Sequence, residues 1–366
     1  MPSKGNARTL RRQHAQASVQ QELIGQWWDA QKKAEKGDSS AAEAAAEYLS
    51  EVMLLLRAGK LAGSPLKSVV HKNSVLFHMA ELCESHSYTS PEIPIWTMLN
   101  ATGYFLAKRG VMMQTPGFKP CAPQLWTLVF ADSGARKSQL SELALLALGL
   151  DLHTDCIGKV DSSAALRDRF IALNGKPTMM YDDEFGQTVE KTHGTGPLAN
   201  LSQVMICAYD GVVTREKAGG DSERKAVCAG FLGFDQTKLV HERYRAADWL
   251  SGLLPRMSLV VAPTLSNEGH SFYEVGRRND PSALAVAIEE SGVLDRWAYH
   301  LKSVKLHPVY TETKTATELL RERMGRWIKT IGCEGPFVTR GQFACRKIAS
   351  GMSRLMALAV FKLISE

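Results

Sequence analysis

The stretch Leu128–Leu140, LVFADSGARKSQL, decides how this chain folds. The apolar run LWTLVF (125–130) has the length and composition of a buried strand. The segment KSQLSELALLALGL (137–150) has a helical pattern that stops at Gly149. A strand, a tight loop and a helix opened by Lys-Ser form the outline of a phosphate-binding loop, whose standard pattern is G-x-x-x-x-G-K-[ST]. The two glycines of that pattern fall here on Ala131 and Arg136, so Gly134 is the single flexible point of the loop. The chemistry needs the lysine, the hydroxyl and a backbone that can curl. Glycine is needed only where φ is positive or a side chain would clash. An Arg136 in the left-handed region carries strain of about 1–2 kcal/mol, which a bound nucleotide can offset. On this reading Ser133, Gly134, Ala135 and Arg136 wrap the phosphates with backbone N–H groups, helped by the dipole of the following helix. Lys137 reaches the β- and γ-phosphates of ATP, and Ser138 holds Mg²⁺.

Working outward, a second apolar strand, PTMMYDDE (177–184), ends in acids about 45 residues after the loop. Such a strand end supplies one carboxylate to the Mg²⁺ shell and one to polarise the attacking water. Asp183 is assigned to the metal and Glu184 to the base, with Asp182 offering the same chemistry one residue earlier. A third strand, AVCAGFLGF (226–234), is followed by Asp235 and Gln236. A polar residue at such a tip can hold the water or sense the γ-phosphate. Gln236 is the candidate and Asp235 its competitor. A fourth strand, RMSLVVAP (256–263), opens on Arg256 after a Leu-Leu-Pro turn. An arginine there can reach the γ-phosphate of a neighbouring subunit, although a lone arginine capping a turn is the ordinary case. Between the second and third strands, YDGVVTREKAGGDSERKAVC (209–228) reads as a hairpin around Gly219-Gly220. Arg215, Lys217, Arg224 and Lys225 decorate its arms, interleaved with Glu216, Asp221 and Glu223. That pattern fits a solvated, salt-bridged hairpin or one whose basic tips meet a nucleic acid backbone.

Helical patterns at 162–175 and 198–211 alternate with these strands, which predicts an α/β fold: a sheet with parallel strands and helices on both faces. The Pro/Gly-rich connector QTPGFKPCAP (114–123) separates that core from a helical N-terminal region, with helices expected over 22–62 and most of 66–112. Beyond residue 270 helical patterns return at 281–303, 313–331 and 341–364. The expected domains are a basic flexible arm (1–21), a helical N-terminal domain (22–115), the ATPase core (116–270) and a helical C-terminal region (271–366). The arm holds Lys4, Arg8, Arg11 and Arg12 and no acid, which suits a disordered tail, a contact to nucleic acid phosphates, or both.

Composition sets outer limits. The 366 residues are 45% hydrophobic and 22% charged, enough apolar content for a sizeable core in two or three folding units, and the net charge of +6 permits an anionic partner. Seven cysteines with no CxxC read as free thiols of a reducing compartment. Cys83 and His86 lack the second pair that a zinc site needs. No apolar h-region follows the basic N-terminus, and no uncharged apolar run approaches the ~20 residues of a membrane helix.

Taken together, ADSGARKS (131–138), YDDEFG (181–186), YDG…REK (209–217), GFLGFDQTKL (230–239) and GLLPRMSLV (252–260) resemble a group of P-loop proteins carried by phages, prophages, genomic islands and plasmids. These are similar to the helicase half of poxvirus- and phage-type primase–helicases, in the superfamily-three and AAA+ group. The resemblance covers about residues 117–265. The group's loop commonly has the form Ser-Gly-x-Arg-Lys-Ser, so Arg136 matches a family variant, whereas Ala131 departs from the more usual Pro or Gly. The resemblance implies a P-loop NTPase core that binds ATP and Mg²⁺ and assembles as a ring, a hexamer. Lys137, Ser138, Asp183 and Glu184 would act in cis and Arg256 in trans. The 211–226 hairpin would grip single-stranded DNA in the pore. It also implies a helicase or replication ATPase of a mobile element in the cytoplasm of a bacterial host, with no membrane partner. The N-terminal region, without a primase-like zinc ribbon or acidic set, would be a collar or origin-binding element. The C-terminus would be either cut short or naturally short. Two other functions fit the same residues: an origin-binding initiator that binds ATP but hydrolyses it weakly, and a phage-interference ATPase acting on protein partners.

Overall fold

The computed structural model describes residues 72–86, 90–114, 119–131, 137–216, 222–245, 252–262, 281–303 and 309–311, with a few isolated positions elsewhere. The N-terminal arm, the helix expected over 22–62, loop residues 132–136, the hairpin tip 217–221 and the helices expected over 313–331 and 341–364 lie outside the described residues, apart from isolated positions.

The elements in chain order begin with α1 (Val75–His86), α2 (Glu92–Lys108), β1 (Met112–Gln114) and β2 (Trp126–Phe130). They continue with α3 (Lys137–Ala147), β3 (Cys156–Ile157), α4 (Ser163–Leu173), β4 (Pro177–Asp182), α5 (Phe185–Thr192) and α6 (Leu201–Tyr209). Then come β5 (Val212–Glu216), β6 (Ser222–Ala226), β7 (Cys228–Asp235), α7 (Val240–Arg243), β8 (Ser258–Val261), α8 (Pro281–Ser291), α9 (Val293–Ser303) and β9 (Val309–Thr311). The central sheet has five strands in the order β3-β4-β7-β2-β8, all parallel. The expected α/β sheet is present.

Every residue of β2 is buried. A parallel strand covered on both faces needs apolar side chains at every position, which is why WTLVF reads as a continuous run without alternation. The two-residue period divides it between two cores. Val129, Ala131, Met179, Tyr181, Leu232, Phe234 and Val260 face one layer, formed by α1, α2, α3, α8 and α9. Trp126, Leu128, Phe130, Met180 and Phe231 face the other, formed by α4 to α7.

Among the described residues, those on either side of the boundary expected near residue 115 share one core. α2 is buried around nearly its whole circumference, against β2, β4, β7 and α3. Its polar residues are absorbed locally: the Thr97 and Thr102 hydroxyls donate to carbonyls one turn back, and Asn100 donates to Trp96 O and to Thr127 Oγ1. At Gly103 a Cβ would stand 2.4 Å from the Pro123 carbonyl, so the helix can touch the segment entering β2 only because that position is glycine. From the far end, the α9 residue Trp297 is fully buried in the same cluster, its indole N–H donating to Thr102. Parallel pairing of β1 with β9 joins the two flanks. The N- and C-terminal helices described here are thus one layer of the sheet's own core.

The expected helix over 281–303 is two helices, interrupted at Gly292 with φ +61°. β3 is only two residues long, which explains why no strand pattern marked it.

Candidate nucleotide site at the carboxyl edge of the sheet

β2 leads into α3 on one face of the sheet, while its neighbour β7 leads into α7 on the other. Loops that leave adjacent parallel strands for opposite faces open a crevice at the carboxyl edge, the usual ligand position in an open α/β sheet. The base of this crevice is fixed by backbone. Ala131 N donates to Asp235 O at 2.9 Å, and Ala262 N donates to Phe130 O at 2.8 Å.

Lys137 is the first residue of α3, and its ammonium points back to the Ala131 carbonyl at 3.5 Å, across the mouth of the loop. Ser138 is exposed in the same first turn. The four phosphate-wrapping candidates, Ser133, Gly134, Ala135 and Arg136, fall in the stretch outside the described residues. Tyr181, near the end of β4, places its hydroxyl beside Ser138 and Ser141 and within the field of Asp183. Burial pushes its pKa up to about 12, so it stays neutral. The first turn of α3 and the acidic end of β4 thus both lie at the carboxyl edge of the sheet.

The three acids of YDDEFG have different environments. β4 ends at Asp182, which is buried and engaged: one carboxylate oxygen accepts from Glu184 N at 3.0 Å, the other from the Thr188 hydroxyl at 2.5 Å. Burial raises its pKa, while those two donors work in the opposite direction. Asp182 thus folds the turn and anchors α5. Asp183 and Glu184 remain 46% and 43% exposed, the pair able to meet a ligand. Lys159, just past β3, holds all three: its ammonium is 3.1 Å from Asp183, 3.4 Å from Glu184 and 3.9 Å from Asp182.

At the tip of β7 the two sequence candidates separate. Asp235 turns into the α4–α7 layer, where Arg243 donates to it at 2.6 Å and Gln236 N at 2.8 Å; the carboxylate is fully buried. Gln236 has extended backbone, φ −92° and ψ 127°, so the strand's alternation continues through it and directs its side chain to the α3 side. Gly186, two residues after Glu184, packs against this pair: a Cβ there would lie 1.8 Å from Asp235 Oδ2 and 2.8 Å from Arg243 Cδ.

Arg256 lies in a short 3₁₀ turn (Leu254–Arg256) just before β8, at the amino edge of the sheet and away from its own crevice. Its guanidinium donates to the Gly252 carbonyl at 2.7 Å and to both Asp210 oxygens, at 3.2 and 3.5 Å, and stacks over the Tyr209 ring. The YDG segment and the LPR turn, two unrelated motifs in the sequence, meet here. The expected hairpin forms, with β5 antiparallel to β6. Of its basic residues, Arg215 pairs with Asp168 of α4 at 3.1 Å and Lys225 with Glu223 at 3.7 Å; Arg224 lies opposite Thr214 in the register, and Lys217 is outside the described residues.

Sequence reasoning missed Lys159, Gly186 and Arg243. No spacing in the sequence marked their roles, since each acts through a partner on another element. Among the described residues no group of three or more His, Cys, Asp or Glu side chains is arranged to hold a metal ion. None of the described helices is long and apolar enough to cross a membrane. No protein-family model matches the chain, and no curated protein matches it.

Proposed function

We propose that this chain is a P-loop ATPase that hydrolyses ATP at the carboxyl edge of its parallel sheet, and that it works as a ring-forming helicase or replication ATPase on single-stranded DNA. The observation that supports the reading is that Lys137 and Ser138, at the start of α3 after β2, and the half-exposed Asp183 and Glu184, just past β4, all lie at the carboxyl edge of one parallel sheet, where loops of adjacent strands diverge. Mg²⁺–ATP brings the scissile phosphoanhydride and a metal that spreads the developing charge. The chain's residues bind and orient. Lys137 and the first-turn N–H groups of α3 bind phosphate oxygens. Ser138 and Asp183 fit the sparse protein share of a magnesium shell, which keeps most of its positions for water and phosphate. Glu184 accepts the proton of the attacking water, and Gln236 orients that water from the neighbouring strand. Arg256, at the opposite edge, serves the site of the next subunit.

The test is ATP turnover with and without single-stranded DNA, together with particle size with and without ATP. DNA-stimulated turnover by a hexamer, lost in Lys137→Ala, is the expected result. Undiminished turnover in Lys137→Ala would sink the site assignment, and a monomer without turnover would sink the function. The loop's Ala131 and Arg136, in place of glycine, favour one second reading: an origin-binding protein that binds ATP and barely hydrolyses it. It would assemble on origin DNA in response to nucleotide without separating strands.

A further inference from the structure

The register of the β3–β4 pair sets Ile157 beside Met180, and two residues past β3 Lys159 reaches the acids at the end of β4. The lysine thereby ends up among the carboxylates of Asp182, Asp183 and Glu184, with its ammonium closest to Asp183. A lysine ammonium set among three carboxylates is a cation at neutral pH. It is nonetheless 46% exposed, on a flexible stem, in an irregular segment next to Gly158, where nothing crowds the backbone. A cation in that position is held but can leave.

We propose that Lys159 is the internal counter-cation of the metal position: it occupies the Asp183–Glu184 carboxylates when no nucleotide is bound and must be displaced by the divalent ion. This rests on the ATPase reading for its biological meaning and on the ion-pair geometry for its physics. A magnesium ion binds oxygens at about 2.0–2.1 Å and keeps a full octahedral shell. An ammonium hydrogen-bonded to the same Asp183 oxygen blocks that approach and repels a second cation at close range. Metal therefore binds poorly by itself and well only when nucleotide phosphates add negative charge and ligands. The lysine is a positioning residue: it keeps the two acids apart and oriented in the empty site, and it makes the site selective for the metal–nucleotide complex over the free ion.

The experiment uses the full chain without nucleotide and titrates Mn²⁺, read by the loss of its free electron-spin-resonance signal. Wild type is expected to bind Mn²⁺ weakly. Lys159→Met should bind it about tenfold more tightly or better, since an opposing unit charge has left the carboxylates. The gain should vanish in Lys159→Met combined with Asp183→Asn, and Lys159→Arg should behave like wild type. Lys159→Gln serves as a second neutral variant, with thermal melting to check that each is folded. In a parallel titration, the Mg²⁺ needed for half-maximal binding of a fluorescent ATP analogue should fall in Lys159→Met. Mn²⁺ affinity equal in wild type and both neutral variants would overturn the proposal, as would a gain that survives Asp183→Asn. A gain in Mn²⁺ binding by a protein that binds no ATP would leave the counter-cation standing and remove the ATPase reading, so the two failures are separable.

Discussion

β4 and β7 are neighbours in the sheet, paired as far as Asp182 beside Gly233, and both end in aspartate. Asp182, like Asp235, is buried and engaged, but the residues that follow each strand are built in opposite ways. At β7, Asp235 is fully buried, fixed by Arg243 at 2.6 Å and roofed by Gly186. Just past β4, Asp183 and Glu184 are nearly half exposed and share one lysine, itself 46% exposed. A carboxylate that is buried and paired holds elements together, here the tip of β7 to α7 and, through the glycine contact, to α5. A carboxylate that keeps exposed oxygens and an exposed counter-ion can exchange partners. Carboxylates at one edge of the sheet thus serve architecture at Asp182 and Asp235 and stay open at Asp183 and Glu184, and the deciding variable is where their neighbours leave room.

This contrast can be broken by mutation. The largest effect is expected at β7. Arg243→Ala leaves an uncompensated buried carboxylate and should cost about 3–5 kcal/mol in chemical denaturation, whereas a combined Asp235→Leu and Arg243→Met exchange should recover most of it. At β4 the loss should appear in chemistry alone. Glu184→Gln should keep the melting temperature and nucleotide affinity of wild type and lose ATP turnover by about 10²–10⁴-fold. A Glu184→Gln protein that unfolds more easily but turns over normally would show that both strand ends are architectural. Gly186→Ala tests the contact between them. Its methyl has no space beside Asp235, so α5 must shift or the ion pair must break, at a cost of about 1–3 kcal/mol. If the substitution is neutral, the β7 carboxylate is less tightly roofed than its distances imply.

The sequence made one of these ends readable and left the other ambiguous. LWTLVF and PTMMYD are apolar runs bounded by turns, and strands covered on both faces must look that way, so β2, β4 and the helix from Lys137 were legible. Whether Asp235 or Gln236 faces the crevice was not, because alternation assigns a face only once the layer against each face is known; Arg243 and α7 decide it. Lys159 was hidden for a related reason. It stands beside the acids through the pairing of a two-residue strand, and two residues carry no period. That α2 packs into the sheet's own core is legible only in its lack of a polar face, a feature that marks a buried helix.

Arg256 extends the comparison to the opposite edge of the sheet, and its predicted effect is the smallest. Its pair with Asp210 is partly exposed, 30% on the arginine side and 48% on the aspartate side, so Asp210→Ala should change stability by no more than about 1 kcal/mol. The interest lies in what the contact does to assembly. Asp210 and Tyr209 sit directly before the hairpin strand β5, so the residue proposed to reach a neighbour's phosphate is tethered to the base of the element proposed to touch DNA. Because Arg256 is at the amino edge and Lys137 at the carboxyl edge, no single subunit brings them together, and their defects should complement. Arg256→Ala and Lys137→Ala proteins, each inactive alone, should regain a fraction of wild-type turnover when mixed, since some interfaces then join an intact Lys137 to an intact Arg256. Turnover by Arg256→Ala alone at the wild-type rate, or a mixture as inactive as its components, would reduce this arginine to what its contacts already make it: a clamp between the LPR turn and the root of the hairpin.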